Sequence, residues 1–553
     1  MHTSAADGSG VVERRQPLRK ALLAICILGA LVPSGLLAWK ARAVPQLGYF
    51  QDDGLYWIAG KSLAEGRGYR ILSFPGEPFQ TKYPPLYPLL LSAVWKLRPQ
   101  FPANLPLASV LNWLMLPAYL LAAWKLTREI GLESTRRVIL LFALALSPTI
   151  AFLAANMMAD LMFAALVLCA LAVAERVSNG RAGAMTALAA GAVGGAAFLT
   201  KTAALPLLVT VPGLLLWRGR PGLRRACVRA LCFAAPMLAA IAAWSYWTHS
   251  HRIPSTDPLV IYYTDYLGFH RQDLVWGDLP KVIQTNCRSL FNAIGELIVF
   301  RPGSGAAFSF LLMALGLFSV SGAIRWTRTK GLSQYAAFAP VYAAQLLVWN
   351  YPPNNRLLLP LIPLFLAGAI AEFEHLYDLA RSAVASTDSS QRAAGAVAFA
   401  LLVVLAASFC GTAAYGLVSF VPAVIDSSRS EMDANRPAFD WIRGHLPADA
   451  KFLAYSDTPL FLYTGRQGCR LVLPSRPFYY QNRAAILKPF SEVPEIAARH
   501  DLRYMLLTPA DYHTDSVVSD HALVRSIVRR DPRVRLVFAG GASEVYEITS
   551  VPF

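Results

Sequence analysis

Apolar runs of about 20 residues recur along most of this chain, and they limit its possible folds more than any other feature. An α-helix of that length matches the thickness of the hydrocarbon core of a membrane. Only 15% of the 553 residues are charged, whereas an average soluble protein has about 25%. The sequence therefore predicts an α-helical polytopic membrane protein.

About eleven of these runs are predicted to be transmembrane helices. The first run follows a basic segment and has no small-residue cleavage site after it, so we predict an uncleaved helix rather than a removed signal peptide. The predicted spans are residues 20–39, 105–126, 138–155, 161–174, 182–199, 203–217, 230–248, 304–324, 332–349, 357–371 and 394–420.

The basic residues indicate the orientation of the chain. The formal net charge is +17, and Arg and Lys cluster in short loops between alternate spans, most densely at 218–229. This positive-inside pattern predicts a cytoplasmic N-terminus, and it argues against nucleic acid as a partner. An odd number of crossings would put the C-terminal tail on the other side. We therefore predict a multi-pass inner-membrane protein with a periplasmic or other extracytoplasmic C-terminal domain.

The chain divides into two predicted domains. Residues 1–420 form the transmembrane domain, whose longest outer loops are residues 40–104 and 249–303. Residues 421–553 alternate β-rich and helical segments, which is typical of a small α/β domain. Its predicted strands are 452–455, 504–508, 534–538 and 545–548, its predicted helices are 435–444, 493–500 and 517–530, and Gly540-Gly541 is a predicted hairpin turn.

Several outer loops carry charged residues that simple connections would not need. An ionisable group at membrane depth is costly unless it is paired or solvated, so such groups are functional candidates. Because all of them lie on one predicted side at a similar depth, we predict that they converge on one cavity. They are Asp52, Asp53, Lys82, Asp160, Lys201 and Arg356.

Each candidate also has a simpler interpretation. The three aspartates precede predicted helices, where aspartate is a favoured N-cap. Lys201 could extend its ammonium group to the membrane interface, and Arg356 could anchor the chain there. Together, however, acids and cations on one face suit a site that deprotonates a hydroxyl and holds a phosphate. No residues have metal-ligand spacing, so the sequence predicts neither a metal nor another cofactor.

The first outer loop also carries a succession of motifs. Residues 52–59, 63–69, 75–79 and 82–88 read DDGLYWIA, LAEGRGY, PGEPF and KYPPLYP, and residues 356–363 read RLLLPLIP. This succession resembles the first outer loop of the GT-C superfamily of membrane glycosyltransferases, most nearly the protein O-mannosyltransferases and aminoarabinose transferases. The segment after Arg356 is similar to that family's Arg-x-Leu-Leu-Pro helix start. The resemblance is strong at 50–90 and 350–365, and extends by topology over about 20–420.

The resemblance implies transfer of a sugar from a polyprenyl-phosphate donor to an acceptor on the outer side of the membrane. Asp52 matches the catalytic acidic residue of the family's first loop, and Asp53 matches the acidic residue after it, which is usually Glu. Asp160 matches an acidic residue of the second loop that lies in the family's cavity, and the resemblance implies a catalytic role for Asp53 and Asp160 in orienting the acceptor or the base. Lys82 matches a lysine that contacts the donor phosphate.

The implied reaction is an inverting, metal-independent transfer in which Asp52 takes the proton of the acceptor hydroxyl. Arg356 and Lys201 match the family less closely, and they are predicted to bind the donor phosphate with Lys82. Tyr56 and Tyr83 lie within the motifs and are predicted to bind substrate. The implied partners are a polyprenyl-phosphate sugar, membrane lipid, and a glycan, lipid or protein acceptor.

Two alternatives remain open from the sequence. The aromatic-rich loop 249–303 is expected either to close over the donor as a lid or to lie in the membrane interface as an aromatic belt. The same cations would also suit a lipid-linked sugar flippase without catalytic activity. The acidic pair at Asp52 and Asp53 favours the enzyme, because a flippase needs no base in that loop.

Overall fold

A computed structural model describes residues 9–42, 50–219, 222–271, 274–301, 305–473, 475–509, 511–512, 517–518 and 520–549. Helices dominate the N-terminal three quarters of the chain. They are Ser9–Ala41, Asp52–Ala64, Leu86–Leu97, Leu105–Trp113, Met115–Glu129, Ser134–Ala145, Pro148–Ala155, Asp160–Ser178, Ala184–Thr200, Pro206–Arg218, Leu223–His251, Pro258–Thr264, Tyr266–Arg271, Leu279–Gly295, Ala306–Lys330, Gln334–Leu347, Ile362–Val384 and Ser389–Tyr415.

Every predicted span coincides with one of these helices or with a broken pair of them. The span predicted at 357–371 begins only at Ile362, because Pro360 and Pro363 disfavour a helix interior. Five described helices are long and apolar enough to cross a membrane, or six if the pair Ser134–Ala145 and Pro148–Ala155, bent by 51°, is one span. The polytopic helical fold is confirmed, and the count of eleven crossings stays a prediction.

The predicted domain boundary at residue 420 falls inside a continuous helical segment. Ser389–Tyr415 runs into a π-helical turn at Gly416–Phe420 and then into Val421–His445. The last transmembrane helix thus leads into the C-terminal domain without a loop. The 1–420 and 421–553 division stays a prediction.

The C-terminal domain contains five strands, β1 (Lys451–Ala454), β2 (Gln467–Cys469), β3 (Tyr504–Leu507), β4 (Val534–Gly540) and β5 (Ser543–Ile548). They form one sheet in the order β2-β1-β3-β5-β4. The strands β1, β2 and β3 are parallel, whereas β5 pairs antiparallel with β3 and β4. The four predicted strands are present, but Gln467–Cys469 was missed because three residues show no alternation. The helices after Val421–His445 are Asp457–Thr464, Ser475–Tyr479, Arg483–Ser491, Val493–Arg499 and His521–Val528, and the first three of these were not predicted from the sequence.

The predicted hairpin turn joins β4 and β5, one residue later than expected. Gly540 still pairs with Ser543, so the turn residues are Gly541 and Ala542. Both have positive φ values, 60° and 68°, as the right-handed twist of a two-residue hairpin requires.

The first outer loop and the C-terminal domain share one buried apolar cluster. Leu55 and Trp57 belong to it with Leu453 and Cys469. The backbone N–H of Gly468 also donates to the carbonyl of Ser73 at 2.8 Å. Apolar burial is the main stabilising term of such contacts, so the two segments form one packed body.

Gly54→Ala tests this packing. The added Cβ would lie 2.1 Å from Thr458 Oγ1, so the loop and the C-terminal domain would have to separate. We expect the free energy of unfolding to fall by about 1–3 kcal/mol, measured as a lower thermal unfolding midpoint in detergent. Gly444→Ala is the matched control, since no atom lies within 4 Å of its added Cβ. An equal loss in a Thr458→Gly background would contradict the steric explanation.

Candidate active site

Four charged side chains from distant parts of the sequence meet in one ion-pair network. Arg356 binds Asp52 through Nη2 and binds Asp160 through Nε at 3.2 Å. Lys201 Nζ lies 2.7 Å from the same Asp160 oxygen. The convergence predicted from the sequence is therefore observed for these four residues.

The starts of two helices position the two carboxylates. Asp52 is the first residue of Asp52–Ala64, and Asp160 is the first residue of Asp160–Ser178. The N-cap positions belong instead to Gln51 and Ala159, so neither carboxylate has the capping role that the simpler interpretation gave it. Both side chains are available to the cations.

Asp52 is held as a carboxylate at the edge of a cavity. Tyr83 donates its hydroxyl hydrogen bond to Asp52 Oδ1 at 2.6 Å. Burial alone would raise the pKa of Asp52, but Arg356, Lys201, the Tyr83 hydrogen bond and Lys82 together keep it below its usual value. Asp52 is therefore ionised at neutral pH.

Asp53 points away from this network. It is buried, and its oxygens accept hydrogen bonds from the backbone N–H groups of Gly54 at 2.7 Å and Phe50 at 3.4 Å. It is not among the residues that line the cavity. This geometry fits the alternative in which Asp53 organises the start of the helix, and its predicted catalytic role stays a prediction.

The cavity has a volume of about 690 Å³ and lies between the first outer loop, the loop 249–303 and the C-terminal domain. Of the predicted site residues, Asp160 lies behind Lys201 and Arg356 with 2% of its surface exposed and does not line the cavity. The predicted residues that line it are Asp52, Tyr56, Lys82, Tyr83, Lys201 and Arg356.

Lys82 is a buried cation on the cavity wall, with 5% of its surface exposed. Its Nζ donates to the carbonyl of Tyr262 at 2.7 Å and lies 4.0 Å from the centre of that ring. Among the described residues, no carboxylate lies within ion-pair distance of it. Burial lowers the pKa of Lys82 to about 8, against the opposing attraction of Asp52.

The loop 249–303 contributes aromatic walls. Tyr262, Tyr266 and Phe269 line the cavity, whereas Trp276 is 90% exposed and does not. Tyr263 is buried behind them and donates to Asp457 of the C-terminal domain at 2.8 Å. The described part of the loop therefore forms part of the cavity wall, and its closure over the donor stays a prediction.

Sequence reasoning missed the part of the cavity that the C-terminal domain supplies. Arg470, which follows β2, and the rings of Tyr455 and Tyr512 also line the cavity. Gln51, just before Asp52, accepts a hydrogen bond from Arg470. No motif marks these residues in the sequence, because only docking of the domain brings them to the cavity.

Within the described ranges, no group of three or more His, Cys, Asp or Glu side chains could hold a metal ion. The charged side chains that line the cavity are the carboxylate of Asp52 and four cations, with the Asp160 carboxylate behind them, and several tyrosine hydroxyls also line it. Such a set can bind an anion and accept a proton.

No protein-family model matches the sequence, and no curated protein is significantly similar to it. Solved structures do match. ArnT, an aminoarabinose transferase from Cupriavidus metallidurans, aligns in its apo state over 96% of this chain and 100% of its own, with a TM-score of 0.52 and 16% identity. ArnT bound to undecaprenyl phosphate aligns over 99% of this chain and 100% of its own, with a TM-score of 0.51 and 14% identity.

A weaker match is the oligosaccharyltransferase of Archaeoglobus fulgidus, which aligns over 87% of this chain and 69% of its own, with a TM-score of 0.48 and 12% identity. The two ArnT alignments cover nearly the whole of both chains. They confirm the GT-C fold expected from the sequence. The chain is a multi-pass membrane protein with this fold.

Proposed function

We propose that this GT-C-fold protein is a glycosyltransferase that moves a sugar from a polyprenyl-phosphate donor to an acceptor hydroxyl. The observation that carries the proposal is the ionised Asp52 at the edge of a cavity that also holds the buried cation Lys82. The structural neighbour ArnT binds undecaprenyl phosphate, which supports the choice of donor.

The donor phosphate binds among the cations Lys82, Lys201 and Arg356. Lys82 supports this assignment most strongly, because a buried ammonium group with no carboxylate partner in the described structure is costly unless an anion joins it. The polyprenyl tail leaves the cavity into the lipid. The sugar then lies among the tyrosine rings, with its anomeric carbon near Asp52.

The transfer is a single displacement. Asp52 accepts the proton of the acceptor hydroxyl while that oxygen forms a bond to the anomeric carbon. The bond from the anomeric carbon to the phosphate oxygen breaks, and polyprenyl phosphate leaves with the electron pair. The cations stabilise the developing charge, so no metal is needed. Attack opposite the leaving group inverts the anomeric configuration.

The remaining predicted residues support this step. Asp160 orients Arg356 and Lys201, to which it is paired. Tyr83 holds Asp52 in place through its hydrogen bond, and Tyr56 packs on Tyr83 with ring centres 5.1 Å apart. Asp53 shapes the helix start that carries Asp52, because it accepts hydrogen bonds from the backbone there.

We assign the cavity to the outer side of the inner membrane and the C-terminal domain to the periplasm or its equivalent. The alternation of basic loops supports this orientation. The acceptor reaches the cavity from that side and is a glycan, a lipid or a protein.

The direct test is release of undecaprenyl phosphate. Purified protein is incubated with undecaprenyl-phosphate mannose, glucose, arabinose or aminoarabinose and with membrane extract as the source of acceptor. We expect one donor to yield undecaprenyl phosphate and a glycosylated product. Movement of intact donor between leaflets of a proteoliposome, without release, would support the flippase instead.

Undecaprenyl phosphate binding should weaken as the pH rises through about 8, which is the pKa of Lys82. Lys82 is charged below that pH and neutral above it, so the attraction for phosphate is lost on the alkaline side. The measurement is the Kd between about pH 7 and pH 9.5. Lys82→Arg should remove this dependence because arginine stays charged. An unchanged pH dependence in Lys82→Ala would contradict the assignment.

A further inference from the structure

Arg470 presents a fixed guanidinium group on the cavity wall that the C-terminal domain forms. Its Cζ lies over the ring of Tyr455, 3.7 Å from the ring centre. Its Nη1 donates to Gln51 and to the hydroxyl of Tyr262, the latter at 3.2 Å. Stacking and hydrogen bonds together restrict the side chain to one orientation.

The other edge of this guanidinium has no partner among the described residues. Neither Nε nor Nη2 makes a hydrogen bond there, and no carboxylate of the described chain lies within ion-pair distance. These two N–H groups are parallel donors, which is the geometry that binds both oxygens of a carboxylate or phosphate. The cavity thus contains a rigid anion-binding edge that the described residues do not occupy.

The charges around the cavity point to a second anion besides the donor phosphate. Four cations face two carboxylates, which leaves an excess of two positive charges. A polyprenyl-phosphate sugar is a phosphodiester with one negative charge, so one positive charge remains uncompensated in the loaded cavity. The members of this set are Lys82, Lys201, Arg356 and Arg470 with Asp52 and Asp160.

The position of Arg470 decides which substrate carries that second anion. The donor tail must stay in the lipid, and the three phosphate-binding cations come from the transmembrane domain and its first loop. Arg470 comes instead from the C-terminal domain, and it hydrogen-bonds Gln51, the residue before the proposed base Asp52. A charged group on the acceptor, next to the hydroxyl that faces Asp52, would therefore lie close to Arg470.

We propose that Arg470 is a specificity residue that binds a carboxylate or phosphate group on the acceptor, next to the hydroxyl that receives the sugar. This inference rests on the proposed function. The acceptor class is therefore an anionic glycan or glycolipid rather than a neutral sugar or an uncharged serine or threonine side chain. The two possible anionic groups share one chemistry, and separate probes distinguish them.

Equilibrium binding tests the proposal without turnover. Full-length protein in detergent, loaded with the methyl ester of undecaprenyl phosphate, which carries one negative charge as the donor does, is titrated with methyl glucuronide, glucose 6-phosphate or methyl glucoside. We expect at least one anionic probe to bind about tenfold more tightly than the neutral glucoside, as for a charge-assisted bidentate pair. Arg470→Met should abolish the preference, and Arg470→Lys should lose most of it because an ammonium group cannot bind both oxygens in parallel.

Binding of undecaprenyl phosphate to the same variants separates a role of Arg470 in the acceptor site from a role in the donor site. Arg470→Met should change the Kd of undecaprenyl phosphate by less than about twofold, whereas Lys82→Ala should raise it about tenfold. The matched control is Arg503→Met, which removes an exposed arginine of the same domain. It should leave the affinities for undecaprenyl phosphate and for the three sugar probes unchanged. Thermal unfolding checks that each variant is folded. If Arg470→Met does not fold, the same binding comparison is made with Arg470→Lys.

Two results would overturn the proposal. One is equal binding of charged and neutral probes by the wild-type protein. The other is a loss of undecaprenyl phosphate binding in Arg470→Met as large as in Lys82→Ala, which would make Arg470 part of the donor site. Failure of the proposed function itself is separate, because it would appear as the absence of undecaprenyl phosphate release by the wild-type enzyme.

Discussion

Asp52→Asn should lower the transfer rate by about 10²–10⁴-fold while leaving the fold intact. Asparagine has nearly the same shape as aspartate and can still accept the hydrogen bond from Tyr83, but it cannot accept the proton of an acceptor hydroxyl. The measurement is the initial rate of undecaprenyl phosphate release, with thermal unfolding and donor binding recorded on the same preparation. Donor binding should persist, because the phosphate-binding cations remain.

The matched control for Asp52→Asn is Asp433→Asn. Asp433 pairs with Arg436 on the exposed face of Val421–His445, where an ion pair contributes little to stability. Its transfer rate should equal that of the wild-type protein. Full activity in Asp52→Asn would contradict the base assignment, and with intact leaflet-to-leaflet movement of donor it would favour the flippase.

Sequence alone predicted the convergence of Asp52, Lys82, Lys201 and Arg356 because membrane topology is a strong constraint. Residues at the outer ends of spans lie at one depth, whatever their separation along the chain. Asp53 shows where this reasoning stops. Successive residues of a helix point roughly 100° apart, so only one of two adjacent acids faces the cavity. The sequence does not say which one, since that depends on how the helix packs.

The part of the cavity that the C-terminal domain lines could not be predicted for a different reason. Arg470 and Tyr455 reach the cavity only through docking of their domain on the first outer loop, around contacts such as that between Gly54 and Thr458. Tertiary contacts of this kind leave no periodic pattern in the sequence. The strands of that domain were more accessible, since only the three-residue strand Gln467–Cys469 was missed. Its helices were less so, because Asp457–Thr464, Ser475–Tyr479 and Arg483–Ser491 were not predicted.

Arg356→Gln should be the most damaging single change in the ion-pair network. Arg356 is the common partner of Asp52 and Asp160, so its loss leaves buried negative charge with Lys201 as the remaining close cation. Breaking a buried pair by removing one partner costs about 3–5 kcal/mol. We expect a markedly lower thermal unfolding midpoint and transfer reduced by at least about 100-fold.

The pH dependence of Arg356→Gln separates its electrostatic effect from simple unfolding. Burial raises the pKa of Asp52 and Arg356 is the first of the groups that lower it, so removing Arg356 moves that pKa upward. As the pH is lowered, kcat/KM should therefore begin to fall at a higher pH in Arg356→Gln than in the wild-type protein. In the wild-type protein the lowered pKa keeps Asp52 ionised into the acid range.

A double variant provides the sharpest control for the same residue. Asp160→Asn in the Arg356→Gln background removes one of the two carboxylates for which Lys201 is then the remaining close cation. It should therefore recover part of the lost stability without restoring transfer. Arg436→Gln, which removes an exposed arginine, should alter neither property. An unchanged unfolding midpoint and an unchanged low-pH profile of kcat/KM in Arg356→Gln would show that the network does not control the ionisation of Asp52. The assignment of Asp52 as a base whose pKa is set by its neighbours would then be wrong.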